Sequence, residues 1–340
     1  MVNKKKYTAA IIGIGRIGYL LQKDKKREQP ASHASALKKN KKIKLIAVSD
    51  LDNEKLAMWQ KDYPKTKTYL DYQKMLDEKK PDIVVIAVDE SSHLEVTINT
   101  IIRNPKLIIL EKPIAPNLLL ANKIKKYIKK YKVQISINHE RRFSKDYNLL
   151  KKLLEDNKIG NIHSIHASLW SNTKVWHSDN YNDGACLLVH DGTHLIDIIN
   201  YLFNFNLKNC TIDCYNKDKK SNINSLFLHY KTNNNILVTF DFSGNKNYFG
   251  FEIEIRGSSG KIIIGNGYFK LYKSKPSPYY TDFKSLVKDK LIKRPKKTKY
   301  FSNMIKNCID FLDGKEMLVS PFEEGLKTMY IIEDIIKKLK

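Results

Sequence analysis

Four short clusters carry residue types that can do chemistry. The first is Gly13-Ile14-Gly15-Arg16-Ile17-Gly18, directly after an apolar run. Glycines at this spacing permit a tight turn, let the backbone approach a pyrophosphate and set that charge at a helix N-terminus. Gly13, Gly15, Arg16, Ile17 and Gly18 are therefore candidate cofactor contacts. Asp50 closes the second apolar run, where a carboxylate can accept hydrogen bonds from an adenosine ribose. Its charge would repel a 2′-phosphate and no Arg follows it, so NAD is expected over NADP. The stretch from Gly18 to Asp50 exceeds the usual ~20 residues, and the polar segment Lys23–Ser32 reads as an inserted loop that accounts for the excess.

The second cluster, Glu111-Lys112-Pro113, follows the apolar run Lys106–Leu110. Ligands of open α/β sheets sit outside the carboxyl ends of the strands, so this triplet is well placed. A partly desolvated Lys112 has a lowered pKa and can exchange a proton with a substrate hydroxyl; a solvent-facing lysine is the plain alternative. Glu111 is grouped with the cofactor contacts. The third cluster is Asn138-His139-Glu140-Arg141-Arg142-Phe143, which closes another run. It offers Asn138 and Arg141 as substrate contacts, or else forms a charged hinge. The fourth is His190-Asp191-Gly192-Thr193-His194. His190 and His194 are four apart and share a helix face. A zinc site would have to recruit His177 and Asp197 and lacks the Glu of HExxH, so no metal is expected. Asp191 or Thr193 could cap a helix. The remaining reading is an imidazole acting as proton donor or acceptor beside Lys112.

The elements that must position these residues show two rhythms. Tyr7–Ile14, Ile43–Ser49, Asp82–Val88, Lys106–Leu110 and Val133–Asn138 are short apolar runs, separated by amphipathic segments Asn53–Asp62, Ser91–Arg103 and Pro116–Lys132. Near-continuous apolar strands interleaved with helices give an α/β fold, a doubly wound parallel sheet covered on both faces. Beyond residue 140, Asp146–Asn157 and Leu187–Phe203 read as helices and Asn161–Trp170 as a strand. Alternation then places Ile236, Val238, Phe240 and Phe242 on one strand face, and Phe249, Phe251, Ile253 and Ile255 on another. That is a mostly antiparallel sheet with one dry face. Cys210 and Cys214 are expected on one face of a strand, and Tyr300–Leu312 and Pro321–Leu339 are closing helices.

Composition narrows the function classes. Apolar residues make up 42% of the 340, too many for a disordered chain. Four cysteines cannot build a disulfide framework, so a reducing, cytoplasmic location is expected. The basic start runs into the glycine pattern without a cleavage site, as a first strand would and a signal peptide would not. The net charge of +25 includes only seven Arg among 61 basic residues. Nucleic-acid readers favour Arg for bidentate contacts, so neither a nucleic acid nor a membrane is expected as partner. The basic tract Lys284–Lys299 is read as a solvated loop or helix face.

Taken together, the GxGRIG turn, an Asp ending strand two, Glu-Lys-Pro ending strand five, the Asn138–Phe143 cluster and GxH-x-x-D opening a helix resemble the glucose–fructose oxidoreductase/inositol dehydrogenase (Gfo/Idh/MocA) family. Phe251–Ile264 and the closing helices extend the likeness. The resemblance implies a Rossmann dinucleotide-binding domain (1–138) and a substrate-binding and oligomerisation α/β domain with a large open sheet (139–340), whose last helices can return to the first domain. It implies a homodimer or homotetramer and an NAD-dependent oxidoreductase moving a hydride between the cofactor and a secondary hydroxyl or ketone of a sugar, cyclitol or nucleotide-sugar. The alternatives are a glycosidase that oxidises only transiently and an inactive NAD-binding regulator. Lys112 matches the family's catalytic Lys and His194 its catalytic His, the two converging beside the dinucleotide; Lys112, Asn138, Arg141, Asp191 and His194 would meet substrate. His190 stands where the family usually has Asp, so either His190 is a third catalytic residue sharing the proton relay or the substrate differs from that of the polyol dehydrogenases; Asp89 stands where the family usually has Pro.

Overall fold

The computed structural model describes residues 6–172, 186–205, 207–219 and 222–339. The chain divides into two compact units: Met1–Ser144 with Lys297–Met329, and Lys145–Lys296 with Tyr330–Lys340.

The first unit alternates β1 (Tyr7–Ile12), α1 (His33–Lys39), β2 (Ile43–Ser49), α2 (Asn53–Asp62), β3 (Lys67–Tyr69), α3 (Tyr72–Lys79), β4 (Ile83–Ile86), α4 (His93–Ile101), β5 (Leu107–Leu110), α5 (Leu118–Tyr131) and β6 (Ile135–Ile137). The six strands lie in the order β3-β2-β1-β4-β5-β6, and every pairing is parallel. All residues of β4 and β5 are apolar and buried, because a strand covered on both faces has no wet side. Strand order reverses between β1 and β4, which opens a crevice at the carboxyl edge.

The chain's end completes this unit. In α8 (Tyr300–Leu312), Phe301, Met304, Ile305 and Ile309 join Tyr7, Ile11, Trp59 and Ile109 in one core. In α9 (Phe322–Leu339), Phe322, Leu326 and Met329 join Ile12, Ile86 and Ile108 in the other. The boundary expected at 138 therefore falls after Ser144, and the chain re-enters the unit at Lys297. Hydrogen bonds fix the return: Tyr7 Oη donates to Leu312 O at 3.0 Å and Asn303 Nδ2 to Phe143 O at 2.8 Å.

One departure bears directly on the site. The glycine turn does not open a continuous helix. Gly15 O accepts from the amides of Tyr19 and Leu20, both at 3.0 Å, and the chain then leaves through a short 3-10 turn, Leu20–Lys23. The ladder resumes at α1, where His33 N donates to Ile17 O at 3.1 Å and Ala34 N to Gly18 O at 3.0 Å. Residues 19–32 are thus an excursion spliced into one helix, beginning earlier than the expected Lys23. Ser32 restarts the helix with a capping box: its Oγ accepts from Ser35 N at 3.2 Å, and Ser35 Oγ accepts from Ser32 N at 3.2 Å.

The second unit contains α6 (Lys145–Glu155), β7 (Ile162–Asn172), α7 (Thr193–Phe203), β8 (Thr211–Lys217), β9 (Ile223–Lys231), β10 (Leu237–Ser243), β11 (Asn245–Gly257), β12 (Gly260–Gly265), β13 (Tyr268–Pro276) and β14 (Lys284–Lys288). They form one eight-stranded sheet, β14-β13-β12-β11-β7-β10-β9-β8, antiparallel except where β10 runs parallel to β7. Val238, Phe240, Phe242, Phe251, Ile253 and Ile255 face a core shared with α6, α7 and the end of α9. Phe249 breaks the expected alternation and is 55% exposed, because the pairing of β11 with β7 slips between Asn245 and Gly250. Cys210 is buried and Cys214 exposed, with a slip between Ile212 and Cys214, so they do not share a face. The expected helix Leu187–Phe203 is a π-helical turn, Leu187–Gly192, leading into α7. Part of the basic tract is the edge strand β14, and its last residues belong to the first unit. Among the described residues no helix is long and apolar enough to cross a membrane.

Candidate active site

The glycine turn leaves β1 at the carboxyl edge of the parallel sheet. Gly13 has φ +87°, and a Cβ there would lie 2.5 Å from Ala87 O; at Gly18 it would lie 2.2 Å from Gly13 O. These two glycines serve close packing. Gly15 is different, since a Cβ there would meet nothing within 4 Å. That opening adjoins the leading amides of a helical turn, which have no carbonyl of a preceding turn to bond. Asp50 braces the turn: Oδ2 accepts from Ile14 N at 2.8 Å and Oδ1 from Asp52 N at 3.0 Å, with Lys55 Nζ 3.9 Å away. Arg16 is exposed; partial burial and then the charge of Arg27 lower its pKa. An open glycine at the start of a helical turn and a carboxylate at the tip of β2 fit a dinucleotide.

Lys112 follows β5 at the same sheet edge and is half-buried. Two strand spacings separate β1 from β5 in the sheet order, roughly 10 Å at the usual inter-strand distance. Glu111, expected among the cofactor contacts, is buried at 7% exposure, and its Oε1 bonds His33 Nε2 at 2.6 Å and Asn138 Nδ2 at 2.6 Å. Burial pushes the Glu111 pKa up, but those hydrogen bonds and the nearby charges of His33 and Lys112 outweigh it and hold the carboxyl below its ordinary value. Pro113 O faces His93 Nδ1 at 2.7 Å, and Val88 O faces the other ring nitrogen at 3.3 Å. Carbonyls only accept, so the shorter contact takes the ring hydrogen; burial lowers the His93 pKa and keeps the ring neutral.

His33 and His93 therefore grip the triplet from both sides, and the sequence reading missed them. A signal was available. Each heads a helix that follows a strand of the parallel sheet, and βα connections bring such positions to the carboxyl edge.

Asn138 lies behind the triplet, only 3% exposed, with Oδ1 buried and unpartnered among the described residues. Arg141 pairs with Glu140 at 3.0 Å and its side chain is 14% exposed. Arg142 is a strut, bonding Val319 O and Glu324 Oε2, each at 3.2 Å. Asp89 accepts from Ser91 N at 3.0 Å and so caps the turn that leads into α4. In the second unit, His190 Nδ1 lies 3.0 Å from Asp191 Oδ1 in the π-helical turn. His194 is half-buried in the first turn of α7, and Asp197 is buried. His177 lies outside the described residues. Among those described, no three His, Cys, Asp or Glu side chains gather as a metal would require.

Residues 7–139 match the model of an oxidoreductase family with an NAD-binding Rossmann fold, and residues 147–263 match the Gfo/Idh/MocA C-terminal domain. The chain belongs to the Gfo/Idh/MocA family. Curated relatives include a myo-inositol 2-dehydrogenase of Thermotoga maritima, 27% identical over 46% of this chain and 42% of that one. A glucose-6-phosphate 3-dehydrogenase of Bacillus subtilis is 27% identical over 51% of this chain and 50% of that one. These matches span half or less of those relatives. An Agrobacterium radiobacter oxidoreductase, solved with NAD+, L-tartaric acid and magnesium, shares the fold with a TM-score of 0.73 over 97% of this chain and 95% of that one, at 18% identity. Among Gfo/Idh/MocA features, the parallel Rossmann sheet and the large second sheet are both present.

Proposed function

We propose that the protein is an NAD-dependent dehydrogenase acting on a secondary hydroxyl of a sugar or cyclitol. The carrying observation is the common edge shared by the open glycine turn and Lys112, with Glu111 held behind that lysine by His33 and Asn138. The names of the inositol and glucose-6-phosphate dehydrogenases support the substrate class. NAD, when bound, supplies the acceptor for the hydrogen and electron pair leaving the alcohol carbon. Gly15 and the turn amides hold its pyrophosphate. The carboxylate of Asp50 favours a free 2′-hydroxyl over a 2′-phosphate.

Lys112 Nζ takes the hydroxyl proton as the carbonyl forms, and returns it in the reverse direction. His194 is the second proton-handling group. His190, paired with Asp191, stands in the position where the family usually carries an orienting Asp. Nucleotide-sugars belong in the substrate panel because they offer the same secondary hydroxyl.

The test is NADH formation across free sugars, cyclitols, sugar phosphates and nucleotide-sugars. Lys112→Ala is expected to keep NADH affinity within about threefold while losing ~10²-fold or more in turnover. Turnover at the wild-type rate would remove Lys112 from the mechanism, and absence of NADH binding by the wild type would remove the cofactor assignment.

A further inference from the structure

A turn, Ser277–Phe283, joins β13 to the edge strand β14. Ser277 closes it. Its N–H donates to Phe283 O at 2.8 Å, and its Oγ accepts from Ser285 Oγ at 2.9 Å and from Tyr279 N at 3.2 Å. Pro276 and Pro278 restrict the backbone on either side. The turn so held presents an aromatic cluster: the Tyr280 ring lies 6.5 Å from that of Tyr279 and 6.0 Å from that of Phe283. Tyr279, Tyr280 and Phe283 are 79%, 70% and 69% exposed. Clustered aromatic rings ordinarily belong to a core, and a hydrogen-bonded turn that holds them in water marks a contact surface.

Lysines frame the cluster. The stretch Lys273–Lys290 holds five lysines, two aspartates and no arginine. Asp289 pairs with Lys273 at 3.2 Å, so Lys275, Lys284, Lys288 and Lys290, all exposed, are set against Asp282 alone. Alternation along β14 puts Lys284, Leu286 and Lys288 on one face, and Leu286 is 51% exposed. Three kinds of partner would cover such a surface. A second copy of the chain would bring the same positive charge to the contact, and lysines on an edge strand oppose pairing with another strand. A single-stranded nucleic acid would stack on the rings, but Leu286 offers it no π face and the arginine forks that favour phosphate are missing. A lipid surface suits every part. Phenols sit at headgroup level, and Phe283 and Leu286 are apolar enough for the acyl boundary. Lysine stems follow them while the ammonium groups stay with anionic headgroups.

We propose that the β13–β14 hairpin docks the protein on an anionic lipid surface, with Tyr279, Tyr280 and Phe283 entering the headgroup region and Lys284 and Lys288 meeting the negative lipids beside them. Composition alone gives no reason to expect a membrane; the clustering of these side chains does. The contact is peripheral, and it stands independently of the dehydrogenase reading.

Sedimentation of the full chain with vesicles tests this, using phosphatidylcholine alone and an equal mixture of phosphatidylcholine and phosphatidylglycerol. The wild type is expected to pellet with the mixed vesicles, to bind phosphatidylcholine alone about tenfold or more weakly, and to be released as salt rises. Tyr280→Ser with Phe283→Ser, and separately Lys284→Glu with Lys288→Glu, should each weaken binding about tenfold or more and melt like the wild type. Lys61→Glu with Lys65→Glu makes the same change in net charge elsewhere and should stay within about threefold. A wild type that pellets with neither vesicle, or equal losses in the two lysine pairs, would overturn the proposal. It also fails if the wild type ignores vesicles while the tip variants lower the oligomer mass seen by light scattering, which would make the patch a contact between copies. Tip-dependent binding of single-stranded RNA in place of vesicles would overturn it in favour of a nucleic-acid surface.

Discussion

Glu111 is a buried carboxylate that stays ionised because its partners outweigh its burial. His33 and Asn138 hydrogen-bond it and Lys112 adds charge, so its native pKa lies below the ordinary value. A depressed carboxylate pKa stabilises the fold in full above the unfolded value of about 4.3, and the contribution is lost as pH falls through the lower native value. Glu111→Gln keeps the shape and removes the charge. At pH 7 it should be less stable by about 1–3 kcal/mol, and the gap from wild type should close as the pH is taken from 5 down to 3. Urea midpoints along that series measure it; a gap constant with pH would show that folding leaves the Glu111 pKa unshifted, and a gap that widens as the pH falls would show it raised. The triplet itself was legible in the sequence, since a polar group ending an apolar strand is unusual. Its supports were not, because a histidine at a helix start announces nothing until the strand order puts it beside β5.

The glycine turn separates packing from binding within one element. A methyl group at Gly18 would press on Gly13 O at 2.2 Å, whereas at Gly15 it would enter open space. Gly18→Ala should therefore lower the melting temperature by several degrees, in line with overpacking costs of about 1–3 kcal/mol. Gly15→Ala should melt like the wild type and bind NADH at least about tenfold more weakly. If Gly15→Ala binds normally, the pyrophosphate does not approach that carbon. Elements with strong internal patterns were readable: α2 and α8 fall at the residues the periodicity marks. Those defined by a neighbour were not. β3 has only three residues, Lys67–Tyr69, and exists through its pairing with β2. β8 is almost wholly exposed, and the sequence marked it only as a strand around Cys210 and Cys214, with no bounds and the wrong face for Cys214. Phe249 was misplaced because a register slip leaves no mark in an unbroken run of alternating residues.

At the scale of the molecule, the first unit is built from two distant stretches of chain. No pattern in the sequence says where a helix near the C-terminus will pack, so the return at Lys297 had to come from the resemblance or from coordinates. Physically the return is obligatory. Without α8, the parallel sheet loses Phe301, Met304, Ile305 and Ile309, each at most 2% exposed, and Tyr7 loses its bonds to Leu312 and Asp313. Tyr7's phenol, pushed up to about 12 by burial and the Asp313 carboxylate, is neutral at any working pH and remains a donor there. Burying large apolar side chains is worth about 1.5–3 kcal/mol each, so losing four exceeds the part of a typical 5–15 kcal/mol stability that a single unit can spare. A fragment of residues 1–144 should thus show no cooperative urea transition and no NADH binding. Joining it through a flexible linker to residues 297–329 should restore both. A cooperative transition in the 1–144 fragment alone would mean that the N-terminal strands and helices close their own core, with α8 an addition to a unit already folded.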